Sequence, residues 1–277
     1  MSEAPQYTPS QVASALKVEV DQVFWLGTGS FGETWRVSDA GQDTAYKIFY
    51  RDGYQPERLE REISGLQRVD HRGVVRIISH GDLVIKDRSR PYIEFEYIPG
   101  GDIEHWLNKQ SPASNENLHL LLWNLLEAVE SMHEAQVVHR DIKPANIALR
   151  DGNIENPVIL DLGLAKPLDA GSITIYPGHI GTPKYMAPEQ IRAERAQMFA
   201  DLWAVGVVVA EVAMSRHPFF DFQNATITID QALALQKSTI QLPGELPETL
   251  VKTILKLLSY KPYKRGTATS ALRLLNG

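Results

Sequence analysis

The sequence contains no cysteine. That excludes disulfides, thiolate nucleophiles and zinc sites built on cysteine. It also fits a reducing compartment, so a cytoplasmic location is the expectation. Nor is there an excess of basic residues: 28 Lys and Arg stand against 34 Asp and Glu, a formal net charge of −6. A dedicated nucleic-acid binder is usually basic, so nucleic acid is not an expected partner. Long apolar runs are missing too. The longest, residues 204–213, is interrupted by Gly206 and Glu211 and falls far short of the ~20 residues a membrane span needs. It reads as a buried helix, and no membrane partner is expected. The first residues, MSEAPQYTPSQ, have neither a basic flank nor an apolar centre, so they do not read as a secretory signal.

What is present is ordinary for a globular chain. Of 277 residues, 43% are hydrophobic and 22% charged, enough for one large domain or two lobes. Residues 1–18 read as an arm without an assigned role, in which Thr8-Pro9-Ser10 caps a short helix through Leu16. Residues 20–26 are β-branched and aromatic and read as a strand. The strand runs into Gly27-Thr28-Gly29-Ser30-Phe31-Gly32, and a second follows at 34–37. Glycines in such a turn let backbone N–H groups approach phosphate oxygens. The same pattern serves a plain hairpin or a dinucleotide fold. A dinucleotide fingerprint opens a helix after its glycines, whereas Glu33 to Val37 looks like strand, which favours the hairpin over phosphates.

Further strands are expected at 44–49, 74–83 and 92–98. A helix at 56–69 places Leu59, Ile63 and Leu66 on one face. Pro99-Gly100-Gly101 reads as a linker between a β-rich lobe and a helical one, where nucleotide sites are favoured. Residues 118–133 repeat Leu118, Leu121, Leu122, Leu125, Val129 and Met132 at helical spacing. They lead into the stretch VVHRDIKPANIAL at 137–149. There one carboxylate (Asp141), one cation (Lys143) and one amide (Asn146) lie within six positions. Apolar flanks suggest short strands with the polar cluster on a loop between them. An apolar strand at 158–160 then ends in Asp161-Leu162-Gly163.

These motifs, together with Met186-Ala187-Pro188-Glu189, the run from Asp201 and Arg265, resemble the eukaryotic-like (Hanks-type) serine/threonine protein kinases in their bacterial form. The resemblance covers roughly residues 20–276. It implies an α+β, two-lobed protein kinase fold. Residues 19–98 would form an N-terminal lobe with a five-stranded antiparallel sheet and one helix, and 99–277 a mainly helical C-terminal lobe. It also implies transfer of the γ-phosphoryl group of ATP to Ser or Thr hydroxyls of proteins, with Mg²⁺, for which Mn²⁺ can substitute.

By the same resemblance, Leu26, Gly27, Gly29, Gly32, Thr34 and Ala45 surround the nucleotide, and Thr34 replaces the usual Val. Lys47 binds the α- and β-phosphates, held by Glu62 on the helix, with Glu60 as the rival partner. Phe95 is the gatekeeper, the backbone of Glu96 and Ile98 meets the adenine edge, and Asp102 meets the ribose. For Asp102 taken alone, turn chemistry is the alternative. Asp141 accepts or orients the substrate hydroxyl proton, and Lys143 neutralises the transferring group. Asn146 and Asp161 hold the metal. Ala148 makes a roomier floor than usual beneath the adenine. Ser172 and Thr174 are phosphorylation candidates that Arg140 would receive, while Thr182 is structural. Glu189 and Arg265 are expected to be a buried pair, and Asp201 to bond the backbone of the catalytic loop. No regulatory domain is expected after the last helix. The oligomeric state is not legible. A catalytically silent, partner-binding relative and a small-molecule phosphotransferase remain the alternatives. The six polar groups argue against the first, and the closing motif with Arg265 against the second.

Overall fold

The computed structural model describes residues 4–29, 32–49, 56–109, 113–160, 184–194, 197–220 and 228–277, with the side chains of 56–58, 61 and 62 outside that set. Two compact units emerge. The first contains residues 1–67 and 75–97, and the second 68–74 and 98–277.

The first unit begins with helix α1, Pro9–Leu16. Its cap is the one the sequence predicts. Thr8 Oγ1 accepts the Gln11 N–H at 3.3 Å and Gln11 Oε1 accepts the Thr8 N–H at 3.0 Å, which satisfies two of the free donors at a helix start. The expected strand at 20–26 starts late. Val20–Gln22 form a 3-10 turn, in which Gln22 Oε1 takes the Glu19 N–H at 2.9 Å. That local bond offers the backbone an alternative to the sheet, and it prevails over β propensity.

Strands β1 (Val23–Thr28), β2 (Gly32–Asp39) and β3 (Gln42–Phe49) follow. After helix α2 (Pro56–Leu66) come β4 (Ile77–Ile85) and β5 (Arg88–Glu96). The strands form one antiparallel sheet in the order β1-β2-β3-β5-β4. The expected α+β class with a five-stranded antiparallel sheet is therefore observed. Gly32 is obligatory at its position, because a Cβ there would stand 2.1 Å from the carbonyl oxygen of Ile48.

The N-terminal arm is part of the core. Tyr7, Val12 and Ala13 are buried with Val23, Trp35, Val37, Ile48 and Ile85. Apolar area removed from water stabilises at roughly 25 cal/mol per Å², so α1 acts as a structural layer rather than an appendage. Its attachment is also polar. Glu33 is fully buried. Its carboxylate accepts the N–H of Gln6 at 2.7 Å, of Tyr7 at 3.2 Å and the indole N–H of Trp35 at 3.0 Å.

The second unit holds helices α3 (Ile103–Asn108) and α4 (Asn115–Glu134), the two-stranded ribbon β6 (Ile147–Leu149) and β7 (Pro157–Ile159), and helix α5 (Pro188–Ile191). Helices α6 (Met198–Met214), α7 (Ile229–Leu235), α8 (Glu248–Leu257), α9 (Pro262–Arg265) and α10 (Ala268–Asn276) complete it. Helix α6 is buried on every side from Ala200 to Ala210, as the apolar run at 204–213 predicts. None of the described helices is long and apolar enough to cross a membrane.

The division departs from the expected 19–98 and 99–277 in three places. Residues 1–18 join the first unit, Ile98 belongs to the second, and so does the segment 68–74. The expected fourth strand therefore starts at Ile77 and the fifth ends at Glu96. Segment 68–74 is bound by its own hydrogen bonds: Ile159 N–H to Gly73 O at 2.8 Å, and Arg72 Nη2 to Asn124 Oδ1 at 2.8 Å. Gly100 closes against the same ribbon, since a Cβ there would lie 1.7 Å from Leu149 O.

Candidate active site

Within the first unit, the strand register gathers the expected nucleotide residues on one sheet face. Gly27 pairs with Thr34 and Thr34 with Lys47. Lys47 pairs with Ile93, and Ala45 with Phe95. Directly opposed residues point to the same side, so Gly27, Thr34, Ala45, Lys47 and Phe95 share a face. The register shifts between Trp25 and Gly27, which places Leu26 in a bulge of the kind that re-aims a side chain. Leu26 is left 45% exposed. Gly29 N–H donates to Gly32 O at 2.8 Å, closing the base of the glycine turn. The Lys47 ammonium lies 5.6 Å from the centre of the Phe49 ring. Glu62 sits on α2, but its side chain lies outside the described residues, so the Lys47–Glu62 pair does too.

The Glu96 N–H donates to Arg76 O at 3.0 Å, and its carboxylate accepts the Arg76 N–H at 3.0 Å. The expected adenine contact of Glu96 therefore narrows to its carbonyl. Glu94 accepts Ser79 Oγ–H at 2.6 Å. It also faces Tyr46, whose phenol is pushed above its ordinary range by burial and then by the Glu94 carboxylate.

In the second unit the expected catalytic stretch is a loop, with a correction upstream. Residues 137–139 are not strand; only the downstream flank, β6, is. What holds the upstream side is a buried carboxylate. Asp201, at the start of α6 and fully buried, accepts the His139 N–H at 3.0 Å and the Arg140 N–H at 2.7 Å. His133 Nε2 meets the same carboxylate at 2.9 Å. This is the backbone bond expected of Asp201. His139, also buried, has its tautomer set by its neighbours. Nδ1 accepts the Asp141 N–H at 3.2 Å, so Nε2 carries the proton and donates to Leu160 O at 2.8 Å.

Asp141 meets both other polar groups of the loop. Lys143 Nζ lies 3.0 Å from Asp141 Oδ2. Asn146 Nδ2 donates to Asp141 O at 2.8 Å and to Asp141 Oδ2 at 3.1 Å. With Nδ2 engaged, Asn146 presents Oδ1, a hard oxygen donor of the kind Mg²⁺ accepts. Leu160 N–H donates to Asn146 O at 2.8 Å, so the residue before Asp161 is tied to both Asn146 and His139. Asp161, Ser172, Thr174 and Thr182 lie outside the described residues. Asp102 is the N-cap of α3, with Oδ1 accepting the His105 N–H at 2.7 Å. The turn chemistry weighed for it is present.

Glu189 and Arg265 form the expected buried pair. Two parallel bonds, 2.6 and 2.9 Å, join guanidinium to carboxylate. Arg265 also lies 5.0 Å from the centre of the Trp203 ring. The sequence reading missed a cluster beside it in the chain. Tyr185 donates to Glu211 Oε2 at 2.8 Å. Burial raises the Glu211 carboxyl above its ordinary value, and the Tyr185 and Lys184 contacts only partly offset this. The signal was available: Glu211 is the charge that interrupts the longest apolar run.

A family model described as protein kinase domain matches residues 21–274. The chain is 30% identical over 202 residues to a probable serine/threonine-protein kinase of Corynebacterium efficiens, covering 70% of this chain and 30% of that protein. It is 28% identical over 258 residues to one of Streptomyces coelicolor, covering 90% of this chain and 38% of that protein. A probable serine/threonine-protein kinase of Dictyostelium discoideum is 30% identical over 261 residues, covering 89% of this chain and 60% of that protein. The chain thus spans about a third of the length of the first two relatives. The match runs through both units and through the loop that Asp201 and His139 hold in place, and on that ground this chain belongs to the protein kinase domain family.

Proposed function

We propose that this chain is an ATP-dependent serine/threonine protein kinase. The observation that carries the reading is the loop where Lys143 and Asn146 both bond the Asp141 carboxylate, on a backbone fixed by a second, buried carboxylate. In the reaction, the substrate hydroxyl oxygen forms a bond to the γ-phosphorus as the bond between that phosphorus and its bridge to the β-phosphate breaks. ADP leaves, and the hydroxyl proton passes to Asp141. Lys143 neutralises charge on the transferring group. On the first unit, Leu26, Gly27, Thr34, Ala45 and Phe95 serve the base and sugar side of the nucleotide, and Lys47 with Glu62 its phosphates. The Glu96 carbonyl and the Ile98 backbone meet the adenine edge, and Asp102 uses its second carboxylate oxygen for the ribose. Asn146 Oδ1 and the Asp161 carboxylate would hold Mg²⁺, which screens the charge of the phosphates when bound.

Protein rather than small-molecule substrate is favoured by the buried Glu189–Arg265 pair, which braces the closing motif. Ser172 and Thr174 are the proposed sites of autophosphorylation. The test is transfer of label from ATP, with phosphosite mapping, comparing wild type with Asp141→Asn. A general base contributes about 10²–10⁴-fold, so the variant should lose at least about a hundredfold in kcat. Equal labelling of both proteins would refute the reading.

A further inference from the structure

Gln190 has no part in the reading above. It is the third residue of α5, and both ends of its amide are engaged. Oε1 accepts the Ala187 N–H at 3.0 Å, which caps the helix. Nε2 donates to the carbonyl oxygen of Arg140 at 2.9 Å. Arg140 immediately precedes Asp141 and has φ of 67°, a left-handed conformation that a residue with a Cβ adopts at a cost.

The bonds around Arg140 divide by peptide group. Asp201 takes the N–H groups of His139 and Arg140. The next peptide group, which carries the Arg140 carbonyl and the Asp141 N–H, has its own two holders: Gln190 at the oxygen and His139 Nδ1 at the N–H. A peptide group is planar. Bonds to its two ends therefore fix the orientation of the plane, and with it the direction in which the Asp141 side chain leaves the backbone. Gln190 adjoins Glu189 in sequence, so the same helix turn is anchored to Arg265 on one side and to the catalytic loop on the other.

We propose that Gln190 is a positioning residue for phosphoryl transfer, setting the plane of the 140–141 peptide and so the aim of the Asp141 carboxylate. This rests on the kinase reading of Asp141. It makes the order of the closing motif at 186–189 a condition for the alignment of the base.

Two substitutions in the full chain separate the two bonds. Gln190→Glu keeps an acceptor for the Ala187 N–H but turns a carboxylate oxygen toward the Arg140 carbonyl. Gln190→Lys keeps a donor but cannot cap the helix. For Gln190→Glu, kcat should fall about tenfold or more while KM for ATP moves less than about twofold, because misalignment of a base acts in the transition state. Gln190→Lys should recover part of that kcat, although its helix is uncapped. Amide hydrogen exchange should accelerate in residues 139–146 of Gln190→Glu and not across the chain. The inference is overturned if kcat and local exchange of Gln190→Glu match wild type. It is also overturned if Gln190→Lys is the more impaired, or if exchange rises throughout the protein. Absence of phosphoryl transfer in wild type, with the local exchange difference still present, would instead overturn the kinase reading and leave the backbone role standing.

Discussion

At the scale of single residues, three donors converge on the carboxylate of Glu33, and two of them come from 26 and 27 positions upstream. Glu33→Gln would replace one acceptor oxygen by an NH₂ group facing N–H donors. Bonds to a charged acceptor contribute about 1.5–3 kcal/mol, so the variant should lose about 2 kcal/mol in urea unfolding of the full chain. A midpoint equal to wild type would show that the arm is held by apolar contact alone. The loop proposed as catalytic was legible because Asp141, Lys143 and Asn146 are neighbours in sequence and their bonds are local. Glu33 was not, because nothing near it predicts that the amides of Gln6 and Tyr7 come to it. Asp102 shows the reverse case: a local cap, readable at short range, was weighed against a ligand contact that only a bound nucleotide could display.

At the scale of elements, periodicity served the long helices well. The pattern at 118–133 became Asn115–Glu134, and the apolar run at 204–213 became the centre of Met198–Met214. β propensity failed at 20–22, where a side-chain bond holds the turn, and the apolar flank failed at 137–138, where the Val137 N–H turns back to Met132 O. Helices α5 and α9 are joined by an ion pair, Glu189 with Arg265, whose side chains are 5% and 0% exposed. Arg265→Lys keeps the charge but cannot reproduce two parallel bonds, nor those to Phe199 O and Ser259 O. Breaking a buried pair costs about 3–5 kcal/mol. That cost comes from an unpaired buried charge, which Arg265→Lys avoids, so its chemical denaturation should show a smaller loss of about 2–3 kcal/mol from the missing hydrogen bonds, and a wild-type midpoint would mean the pair is replaceable by any cation.

At the scale of the whole molecule, stability should depend on pH through a buried histidine. His217 Nε2 donates to Lys184 O at 3.0 Å, and Nδ1 accepts the N–H groups of Phe219 and Phe220 at 3.2 and 3.1 Å. A second proton on Nδ1 would face two donors. Burial chiefly, with the Lys184 charge adding to it, pushes His217 down from 6.5 to about 4. Between those values the unfolded chain binds a proton that the folded chain does not. Stability therefore falls as pH drops through that window, by up to about 3 kcal/mol. Glu211 contributes with the opposite sign. Its raised value means that stability is lost as pH rises through it. The difference between wild type and His217→Gln isolates the histidine: the variant should lose less stability between pH 6.5 and pH 4. Parallel pH profiles for the two proteins would contradict the assignment.

The sequence by itself determined the strands of the first unit, helices α1, α2, α4 and α6, the glycine turn and the polar loop at 139–146. Each of these is specified by residues a few positions apart, through periodicity, capping and turn chemistry. The tertiary structure alone decided that α1 is core, that residues 68–74 belong with the helical unit, and that Glu33, His217 and Gln190 are engaged as they are. Those outcomes depend on donors and acceptors distant in the chain. Burial makes an unpaired polar group costly, and only the folded chain brings the partner that satisfies it.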